Sequence, residues 1–382
     1  MMGLPIRYNL KGECEVRPYR SGDEGEIVEL LQLVFDGWPK IDLGCSALDH
    51  WKWKYRDNPT GECLVNVCVD GGKIIGVRHS IPQRIWMAGR LFYSTYTGDA
   101  AVHPEYQGMG VLTKMRIFIE EFRKKFGFTY VYWVTSNPVI IESSSRKFHV
   151  FPHPIVNLVR ILDIDEQLRA MPLKHGWLTK LGYHAAKMLN DVKISVGGSK
   201  TTSDTSISTI KNFDTRIDEF WRQVSAHCRY TVDRSREYLN WRYLDPRGGD
   251  FVVNIAVEDE RITGYSVLRI NRLREDYPVG FVVDLISLPD RLDVVDSLAS
   301  NAVHFFDERK INIINYQLVK NHPYEKVFKS HGFLDSGIQL QYFCEPSGAD
   351  EEFNKLKESP ADRLYYSYGD IDSLPVTMPS YR

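Results

Sequence analysis

Hydrophobic and polar positions follow two different rhythms along this chain. Segments such as EGEIVELLQLVF and RIDEFWRQV place apolar residues three or four positions apart, which predicts amphipathic helices. Segments such as CLVNVCVD and FVVNIAVE alternate like strands, and the stretches DGGK and EDER that follow them predict short hairpins. A longer strand, a helix, a strand and a second helix come next. The pattern predicts a mixed α+β fold with helices on a twisted, mostly antiparallel sheet.

This order of elements occurs twice. Residues 53–76 align without gaps on residues 241–264, and nine of the 24 positions are identical. Average residue usage would give about one or two matches. The identical pairs are Trp53/Trp241, Tyr55/Tyr243, Asp57/Asp245, Gly61/Gly249, Val65/Val253, Asn66/Asn254, Val69/Val257, Ile74/Ile262 and Gly76/Gly264. The alignment indicates an internal duplication.

Two later landmarks repeat in the same order. Asp99 and Asp284 each precede a proline by five residues, and Asn137 and Asn321 each follow a strand-like apolar run. We therefore expect two tandem units of similar fold. The predicted division is 14–160 for the first unit, 161–213 for a connector with a helix (LTKLGYHAAKMLN) and a flexible linker (VGGSKTTSDTSIST), 214–345 for the second unit and 346–382 for a C-terminal segment.

Composition excludes several classes of protein. The chain is 43% hydrophobic and 26% charged with a net charge of -2, so it lacks the basic excess that nucleic-acid binding needs. It has no apolar run of the roughly 18 residues that a membrane span requires, and MMGLPIRYNLKGE lacks the core of a secretory signal. Its six cysteines include no C-x-x-C pair, so no metal site is predicted. We expect a cytoplasmic protein of undetermined oligomeric state.

The segment HPEYQGMG, residues 103–110, carries the strongest functional signal. It stands between the strand-like YSTYTGDAAV and the helix-like VLTKMRIFIEEFRKKF. A strand that enters a helix through glycines aims the unpaired N–H groups of the helix at the space beyond the strand, which is typical of phosphate sites. The segment is neither a P-loop, since no Gly-Lys-Ser/Thr follows, nor a dinucleotide-binding G-x-G-x-x-G.

The same segment resembles motif A of the GNAT N-acetyltransferase superfamily, V-x-P-x-x-(Q/R)-x-x-G-x-(G/A). Leu112 departs from this pattern, because it stands where the last small residue is expected. The resemblance implies a tandem GNAT protein whose first unit binds acetyl-CoA, with the pyrophosphate on main-chain N–H groups and the pantetheine arm along the preceding strand. The cofactor-binding residues that it implies are Val102, Gln107, Gly108, Met109, Gly110, Val111, Leu112, Thr113 and Asn137.

A second family landmark, motif B, is a strand ending in Asn followed by a helix with Tyr seven residues on. Both copies supply the Asn, but Ser144 and Phe328 replace the Tyr. The second copy also lacks motif A: PDRLDVVDS replaces the glycines, and Asp290 and Asp293 would repel phosphates. We therefore expect the first unit to bind the donor and the second to be a non-binding scaffold that helps to shape the acceptor site.

Acyl transfer to an amine needs a base, a donor for the oxyanion and a proton for the departing thiolate. Asp99 is the candidate base, although its repetition as Asp284 equally suits a structural acid. Tyr96, on the same strand, is a second catalytic candidate or a packed aromatic. Ser144 stands at the position of the general-acid tyrosine, or is an ordinary serine on a helix surface. A main-chain N–H at the end of the strand would serve the oxyanion.

The C-terminal segment begins ADRLYYSYGDID, and its alternating aromatics predict an ordered strand and turn. If the segment folds over the first unit, Asp370 and Asp372 would counter the charge of an acceptor ammonium. The alternative is an edge strand that ends in a solvated turn.

Together these features predict an N-acetyltransferase that moves an acetyl group from acetyl-CoA to a primary amine of an unidentified small molecule. Two alternatives stay open. A non-catalytic acyl-CoA-binding or assembly protein would explain the missing motif B tyrosine. An aminoacyl transferase of the Fem type would share the duplicated fold, but it would not need a pyrophosphate cradle.

Overall fold

A computed structural model describes residues 14–61, 63–125, 130–170, 205–346 and 350–371. The predicted connector helix at 178–190 and Asp372 lie outside the described residues. Over the described ranges no helix is both long and apolar enough to cross a membrane. The same ranges contain no group of three or more His, Cys, Asp or Glu side chains placed to hold a metal ion.

Each unit contains the predicted mixture of helices and strands, and the α+β class is confirmed. The strands of the first unit are β1 (Glu15–Pro18), β2 (Leu64–Asp70), β3 (Lys73–Met87), β4 (Arg90–Val102), β5 (Tyr130–Thr135), β6 (His149–Val150) and β7 (Ile155–Ile161). Those that follow are β8 (Ser206–Ile210), β9 (Tyr230–Val232), β10 (Val252–Glu258), β11 (Arg261–Asn271), β12 (Val279–Ser287), β13 (Ile313–Val319) and β14 (Leu334–Pro346).

Helices lie between the strands at equivalent places in the two units. They are α1 (Glu24–Phe35), α2 (Ala47–Trp51), α3 (Val111–Lys125), α4 (Pro138–Ser145), α5 (Ile164–Ala170), α6 (Arg216–His227), α7 (Arg236–Leu239), α8 (Leu292–Glu308), α9 (Tyr324–Ser330) and α10 (Asp350–Leu356). Short π-helical turns follow α2 and α7, at Lys52–Arg56 and Asn240–Leu244. Single 3-10 turns occur at Pro104–Tyr106, Pro246–Gly248, Ala361–Arg363 and Tyr368–Asp370.

The last part of the predicted flexible linker is a strand. Ser206–Ile210 forms β8, which pairs antiparallel with β10 at the end of the sheet. Ile207 and Ile210 pack against the core of the second unit. The apolar anchors therefore determine the local structure here, although the small polar residues between them suggested a flexible chain.

The two units share one sheet and exchange their last strands. The sheet runs in the order β1-β2-β3-β4-β5-β14-β7-β13-β12-β11-β10-β8. The last strand of the second unit, β14, thus lies beside β5 of the first, and β7 of the first lies beside β13 of the second. The pairings β5–β14, β14–β7 and β7–β13 are all antiparallel. Consequently β5 and β13 run in opposite directions, and the carboxyl ends of these strands lie at opposite edges of the sheet.

Helices cover both faces of the sheet in the first unit. On one face, α1 and α2 bury Ile27, Leu31 and Trp51 against the inward side chains of β2, β3 and β4. On the opposite face, α3 packs through Val111 and Met115. Two covered faces explain why most side chains of β2 and β3 are apolar or buried.

Two repeated tryptophans join the units. The rings of Trp53 and Trp241 stack with centroids 4.9 Å apart and planes 21° from parallel. Trp53 Nε1 donates to the carbonyl oxygen of Trp241 at 2.9 Å, and Trp241 Nε1 donates to that of Trp53 at 3.1 Å. Equivalent residues thus make equivalent bonds to one another, which is the signature of a local two-fold axis.

This contact generates a prediction about Gly248. A Cβ on Gly248 would lie 2.6 Å from Cζ2 of Trp53, whose ring is already held by the stack and by its hydrogen bond. We expect Gly248→Ala to lower the free energy of unfolding by about 1–3 kcal/mol, the usual effect of overpacking. Urea unfolding followed by tryptophan fluorescence measures it.

Gly44→Ala is the matched control, because a Cβ on Gly44 meets no atom within 4 Å and its φ is not left-handed. Its effect should stay within about 0.5 kcal/mol. Equal effects of the two substitutions would contradict the importance of the tryptophan contact.

Candidate functional site

Two glycines shape the turn between β4 and α3. Gly108 has φ +76° and Gly110 has φ +79°, a region that residues with a Cβ rarely adopt. A Cβ on Gly108 would meet no atom within 4 Å, so this position faces open space rather than the protein. The backbone conformation therefore requires both glycines, and Gly108 leaves the approach to the turn free.

The amino end of α3 points into the same region. The first helical hydrogen bond joins the N–H of Lys114 to the carbonyl of Gly110 at 3.1 Å. The main-chain N–H groups of Val111, Leu112 and Thr113 therefore precede the first helical donor and have no acceptor within the helix. The first turn carries no acidic residue. Such N–H groups and the positive end of the helix dipole together fit a diphosphate.

Close packing on β3 fixes the position of this helix end. Val111 and Met115 are 2% and 0% exposed. A Cβ on Gly76 of β3 would lie 3.0 Å from Cγ1 of Val111 and 3.1 Å from Sδ of Met115, so α3 rests directly on the strand. Leu112, in contrast, is 44% exposed at the surface of the helix, and Met109 in the turn is half-buried.

Strands β4 and β5 separate beyond Tyr96. Their parallel pairing ends at Tyr96, whereas β4 continues to Val102. A β-bulge lies within this continuation, where Asp99 and Ala100 oppose the single residue Arg78, and Asp99 has φ +34°. Within the described ranges, one side of β4 is thus left without a strand partner next to the glycine turn.

Val102 lies on this open side. The N–H of the following residue, His103, bonds to the carbonyl of Ile75 in β3 at 2.9 Å. Because main-chain groups alternate in direction along an antiparallel strand, those of Val102 are turned away from β3. Gln107 Nε2 donates to the carbonyl of Val102 at 3.1 Å. In this structure Gln107 therefore braces the end of β4.

The motif B residues take structural positions on α4. The Oδ1 atom of Asn137 accepts from the N–H groups of Val139 at 3.0 Å and Ile140 at 3.4 Å, and so caps the helix. Ser144 is only 5% exposed, so it is not the surface serine that the sequence alternative described. Val139 and Ile140 are 73% and 42% exposed. They give the start of α4 an apolar outer surface.

Asp99 is the centre of a buried polar cluster. Its carboxylate accepts from Lys54 Nζ at 2.5 Å and from the hydroxyl of Tyr55. Its carbonyl binds Nδ1 of His79 at 2.7 Å, and His79 Nε2 accepts from Trp51 Nε1 at 3.0 Å, so the imidazole is neutral. Burial alone would raise the pKa of Asp99, but the Lys54 ammonium and these bonds lower it to about 2.

Tyr96 lies beside a cavity at the junction of the two units. The cavity is small, about 20 Å³, and partly open to solvent. The first unit contributes Tyr96 and Lys54 to its wall, the second contributes Trp241 and Arg242, and Ile371 lines it as well. Since Tyr96 marks the point where β4 and β5 separate, this cavity adjoins the open side of β4.

Arg242 gives the cavity a positive wall. Its guanidinium is buried, with the residue 7% exposed, and donates to the carbonyl of Ile371 at 3.0 Å. It lies within 6 Å of the rings of Trp53, Tyr243 and Phe251, which stabilise a cation through their π faces. Among the described residues no carboxylate lies within ion-pair distance of it.

The second unit repeats the aspartate of the first in a different environment. Asp284 is fully buried, accepts from the hydroxyl of Tyr243 at 3.2 Å, and forms an ion pair with Arg234 at 3.1 Å. Arg234 also pairs with Asp370 at 2.8 Å. The expectation that Asp370 faces an acceptor ammonium is therefore wrong, because this carboxylate lies in the buried network. Burial raises the pKa of Asp370 to about 6.

Residues 361–371, which we call the C-terminal strap, pack against β12 of the second unit. The hydroxyl of Tyr365 bonds to the N–H of Leu285 at 3.2 Å, to its carbonyl at 2.5 Å and to Asp284 at 2.8 Å. Farther along, the carbonyl of Asp370 accepts from Tyr132 of the first unit at 2.9 Å. The strap is thus a buried connection between the units rather than an edge strand with a solvated turn.

Sequence reasoning missed the basic partners of both aspartates. Lys54 and Arg242 occupy equivalent positions in the two copies. The repetition of a basic residue in the alignment was therefore a signal for this position, which faces the junction of the units. Arg234 and Tyr365 have no such signal. Their partners lie 50 and 80 residues away, and only the folded chain brings them together.

Comparison with known proteins agrees with this geometry. Residues 15–143 match the family model described as an acetyltransferase (GNAT) domain. No curated protein matches the chain significantly in sequence.

Solved structures resemble the chain over most of its length. A probable N-acyltransferase from Enterococcus faecalis V583 superposes with a TM-score of 0.59 at 10% identity, covering 87% of this chain and 73% of that one. N-myristoyltransferase from Saccharomyces cerevisiae, with bound myristoyl-CoA, gives 0.58 at 10% identity, covering 88% and 80%. A tandem GNAT protein from the clavulanic acid biosynthesis pathway gives 0.54 at 15% identity, covering 88% and 99%. At these identities the likeness shows the fold.

The Asp99 cluster generates a stability prediction. Replacing Lys54 by Met leaves a buried carboxylate without its counter-charge, and we expect the free energy of unfolding at pH 7 to fall by about 3–5 kcal/mol. The double variant Lys54→Met/Asp99→Asn removes both charges and should recover part of that loss. Urea unfolding of wild type and both variants measures the difference, and equal destabilisation of single and double variants would contradict the ion pair.

The same cluster predicts a pH dependence. The folded-state pKa of Asp99 is depressed from 3.8 to about 2, so its contribution to stability is present above pH 3.8 and is lost as the pH falls towards 2. We expect the double variant to lose less stability than the wild type between pH 5 and 3 in urea titrations. Parallel losses in the two proteins would assign the acid sensitivity to other carboxylates.

Proposed function

Because the chain is a tandem GNAT-fold protein whose residues 15–143 match the acetyltransferase (GNAT) domain, we propose that it is an N-acetyltransferase that moves an acetyl group from acetyl-CoA to a primary amine. The observation that carries the proposal is the glycine turn at Gly108 and Gly110. Its left-handed backbone, its open approach and the first turn of α3 form a site for a diphosphate next to a strand with an open side.

The first unit supplies the groups that the donor needs. The N–H groups from Gly108 to Thr113 hold the pyrophosphate, and the main chain of Val102 pairs with the pantetheine arm along the open side of β4. The exposed apolar side chains of Val139 and Ile140 offer a surface for the rest of the donor. We place the acetyl group and the amine at the adjoining cavity, where the two units meet.

The reaction forms a C–N bond and breaks the C–S bond of the thioester. The amine nitrogen attacks the carbonyl carbon and loses one proton, and the departing thiolate gains one. A main-chain N–H between Asp99 and Val102, at the bulge, faces the developing oxyanion. Loss of such a donor typically costs about 3 kcal/mol in the transition state.

Asp99 and Tyr96 receive different roles. Of the two roles that the sequence left open for Asp99, the structural one is favoured, because a carboxylate with a pKa of about 2 takes up a proton poorly. Asp99 instead holds Lys54 at the wall of the acceptor cavity. Tyr96, on that wall and at the point where the strands part, protonates the thiolate. Ser144, which is buried on the inner side of α4, receives no catalytic role.

The positive charge of Arg242 indicates which amines are the better acceptors. A buried guanidinium without a carboxylate partner among the described residues favours a ligand that brings its own negative group into the cavity. We therefore assign the acceptor to amines that carry a carboxylate, such as amino acids and their derivatives, ahead of polyamines.

Donor binding is the first test. Calorimetric titration of acetyl-CoA should show saturable binding to the wild type and a loss of at least about 100-fold in Gly108→Asp/Gly110→Asp, because two carboxylates would face the diphosphate. Gly89→Asp is the matched control: Gly89 also has a positive φ, +84°, and open space, but lies in the β3–β4 hairpin. No binding to the wild type would sink the proposal.

Tyr96→Phe tests the chemistry. With carboxylate-bearing amines as acceptors, we expect release of CoA to slow by about 100-fold in kcat, the usual contribution of a general acid, with little change in KM for acetyl-CoA. Tyr93→Phe, on the same strand and 50% exposed, should retain full activity.

Two rival functions predict other results. A non-catalytic acyl-CoA-binding protein, suggested by the missing motif B tyrosine, would bind acetyl-CoA but release no CoA with any amine. An aminoacyl transferase of the Fem type would not bind acetyl-CoA, and the glycine turn argues against it.

A further inference from the structure

The second unit contains a cavity at the place that corresponds to the donor cleft of the first. It has a volume of about 190 Å³, is partly open to solvent, and lies between the ends of β12 and β13. These two strands pair in parallel only as far as Val282 and Tyr316 and then separate, as β4 and β5 do. Because β5 and β13 run in opposite directions, this cavity and the donor cleft open at opposite edges of the sheet. It is therefore a separate site.

The cavity cannot take the donor in the way that the first unit does. The hydroxyl of Tyr365 occupies both main-chain groups of Leu285, and that of Tyr324 accepts from the N–H of Ser287 at 3.1 Å. Leu285 and Ser287 correspond to Ala100 and Val102, the part of β4 that stays open. The strand is thus closed to a pantetheine arm.

Phosphate binding is lost as well. Arg291, at the start of α8, is held by Glu258 at 2.6 Å and by Asp293 at 2.7 Å. Asp293 itself lies in the first turn of the helix, where it takes the place of an anionic ligand.

One polar group of the cavity wall has no hydrogen-bond partner in the described part of the chain. His322 is 8% exposed, and its Nδ1 accepts from the N–H of Tyr324 at 3.3 Å, so the neutral ring carries its proton on Nε2. Among the described residues nothing accepts a hydrogen bond from that N–H. Burial lowers the pKa of His322 to about 4, which keeps the ring neutral at ordinary pH. An N–H on the cavity wall without a protein acceptor is available to a bound ligand.

A second histidine of the cavity wall is in the same neutral tautomer. His227 lines the cavity, and its Nδ1 accepts from Arg363 Nη1 at 3.0 Å, because a guanidinium can only donate. Its proton therefore also lies on Nε2. Both histidines that line the cavity are donors, so the complementary ligand group is an acceptor oxygen.

The rest of the wall determines the charge of the ligand. Leu288, Leu292 and Pro323 are apolar parts of the lining, and Asp290 and Asp362 stand exposed at its rim. Asp362 makes a long ion pair with Arg363, at 4.0 Å. Two exposed carboxylates repel anions, including acyl-CoA and free carboxylic acids.

We propose that this cavity binds a small, uncharged, largely apolar molecule whose carbonyl oxygen accepts a hydrogen bond from Nε2 of His322. Small-molecule sites usually combine an apolar wall with a few placed polar groups, as this lining does. The site is independent of the proposed acetyl transfer, because it lies at the other edge of the sheet.

The test uses the full chain with ¹⁵N-labelled histidine, observed by NMR at the imidazole nitrogens. The probes are N-butylacetamide, which is neutral with a carbonyl, pentylamine, which is cationic with no acceptor, and pentanoate, which is anionic. We expect a saturable shift of the His322 resonance with N-butylacetamide alone. Absence of this shift, or a larger response to pentanoate, overturns the proposal and leaves a cavity that holds only water.

Two variants separate the site from other apolar surfaces. His322→Leu removes the donor and should weaken N-butylacetamide binding, read from the His227 resonance, by about tenfold. Leu292→Trp narrows the entrance with a substitution at a 43% exposed position and should abolish binding. Leu112→Trp is its matched control, at a 44% exposed leucine in the first turn of α3 in the first unit, and should bind N-butylacetamide normally. Wild-type affinity in Leu292→Trp overturns the proposal, even if His322→Leu does not fold.

Discussion

Two parallel strands that separate at one end can admit a ligand between them. The outer strand of such a pair has a second edge, and that edge still needs a hydrogen-bonding partner. In each unit of this protein the partner is the last strand of the other unit: β14 covers β5, and β7 covers β13. This exchange makes one sheet of both units and holds their openings at opposite edges. It also brings Trp53 against Trp241, and that contact forms one wall of the cavity at the junction of the units. The geometry of the site thus depends on hydrogen bonds made far from it.

The two copies share one fold but differ at the strand that carries the repeated aspartate. Both keep a tyrosine hydroxyl on the repeated aspartate, Tyr55 on Asp99 and Tyr243 on Asp284. The first copy balances this charge with Lys54 and leaves the neighbouring strand open, whereas the second buries Arg234 and closes its strand with hydroxyl groups. A hydroxyl that satisfies a main-chain group contributes about 1 kcal/mol and, more importantly, removes the site where a ligand would pair. Loss of the glycines is therefore only part of the reason why the second cleft differs.

Local pattern predicted the elements and the glycine turn, but not the way in which the units combine. The periodicity, the duplication and HPEYQGMG needed only neighbouring residues, and each gave the correct local structure around Gly108 and α3. The exchange of β7 and β14 had no such signal, because an apolar strand satisfies its pattern beside either unit. The burial of Asp370 was missed for a related reason. A carboxylate in a sequence reads as solvated, and its partner Arg234 lies 136 residues away.

The exchanged strands also set an order for assembly during synthesis. Strand β14 leaves the ribosome roughly 200 residues after β5, which corresponds to a delay on the order of 10 to 40 s at ordinary elongation rates. Throughout that interval the first unit carries the whole glycine turn yet has an unpaired edge at β5. Until the second unit emerges, the unpaired edge of β5 can pair with strands of other chains. Chaperones should therefore be needed mainly for the first half of the chain.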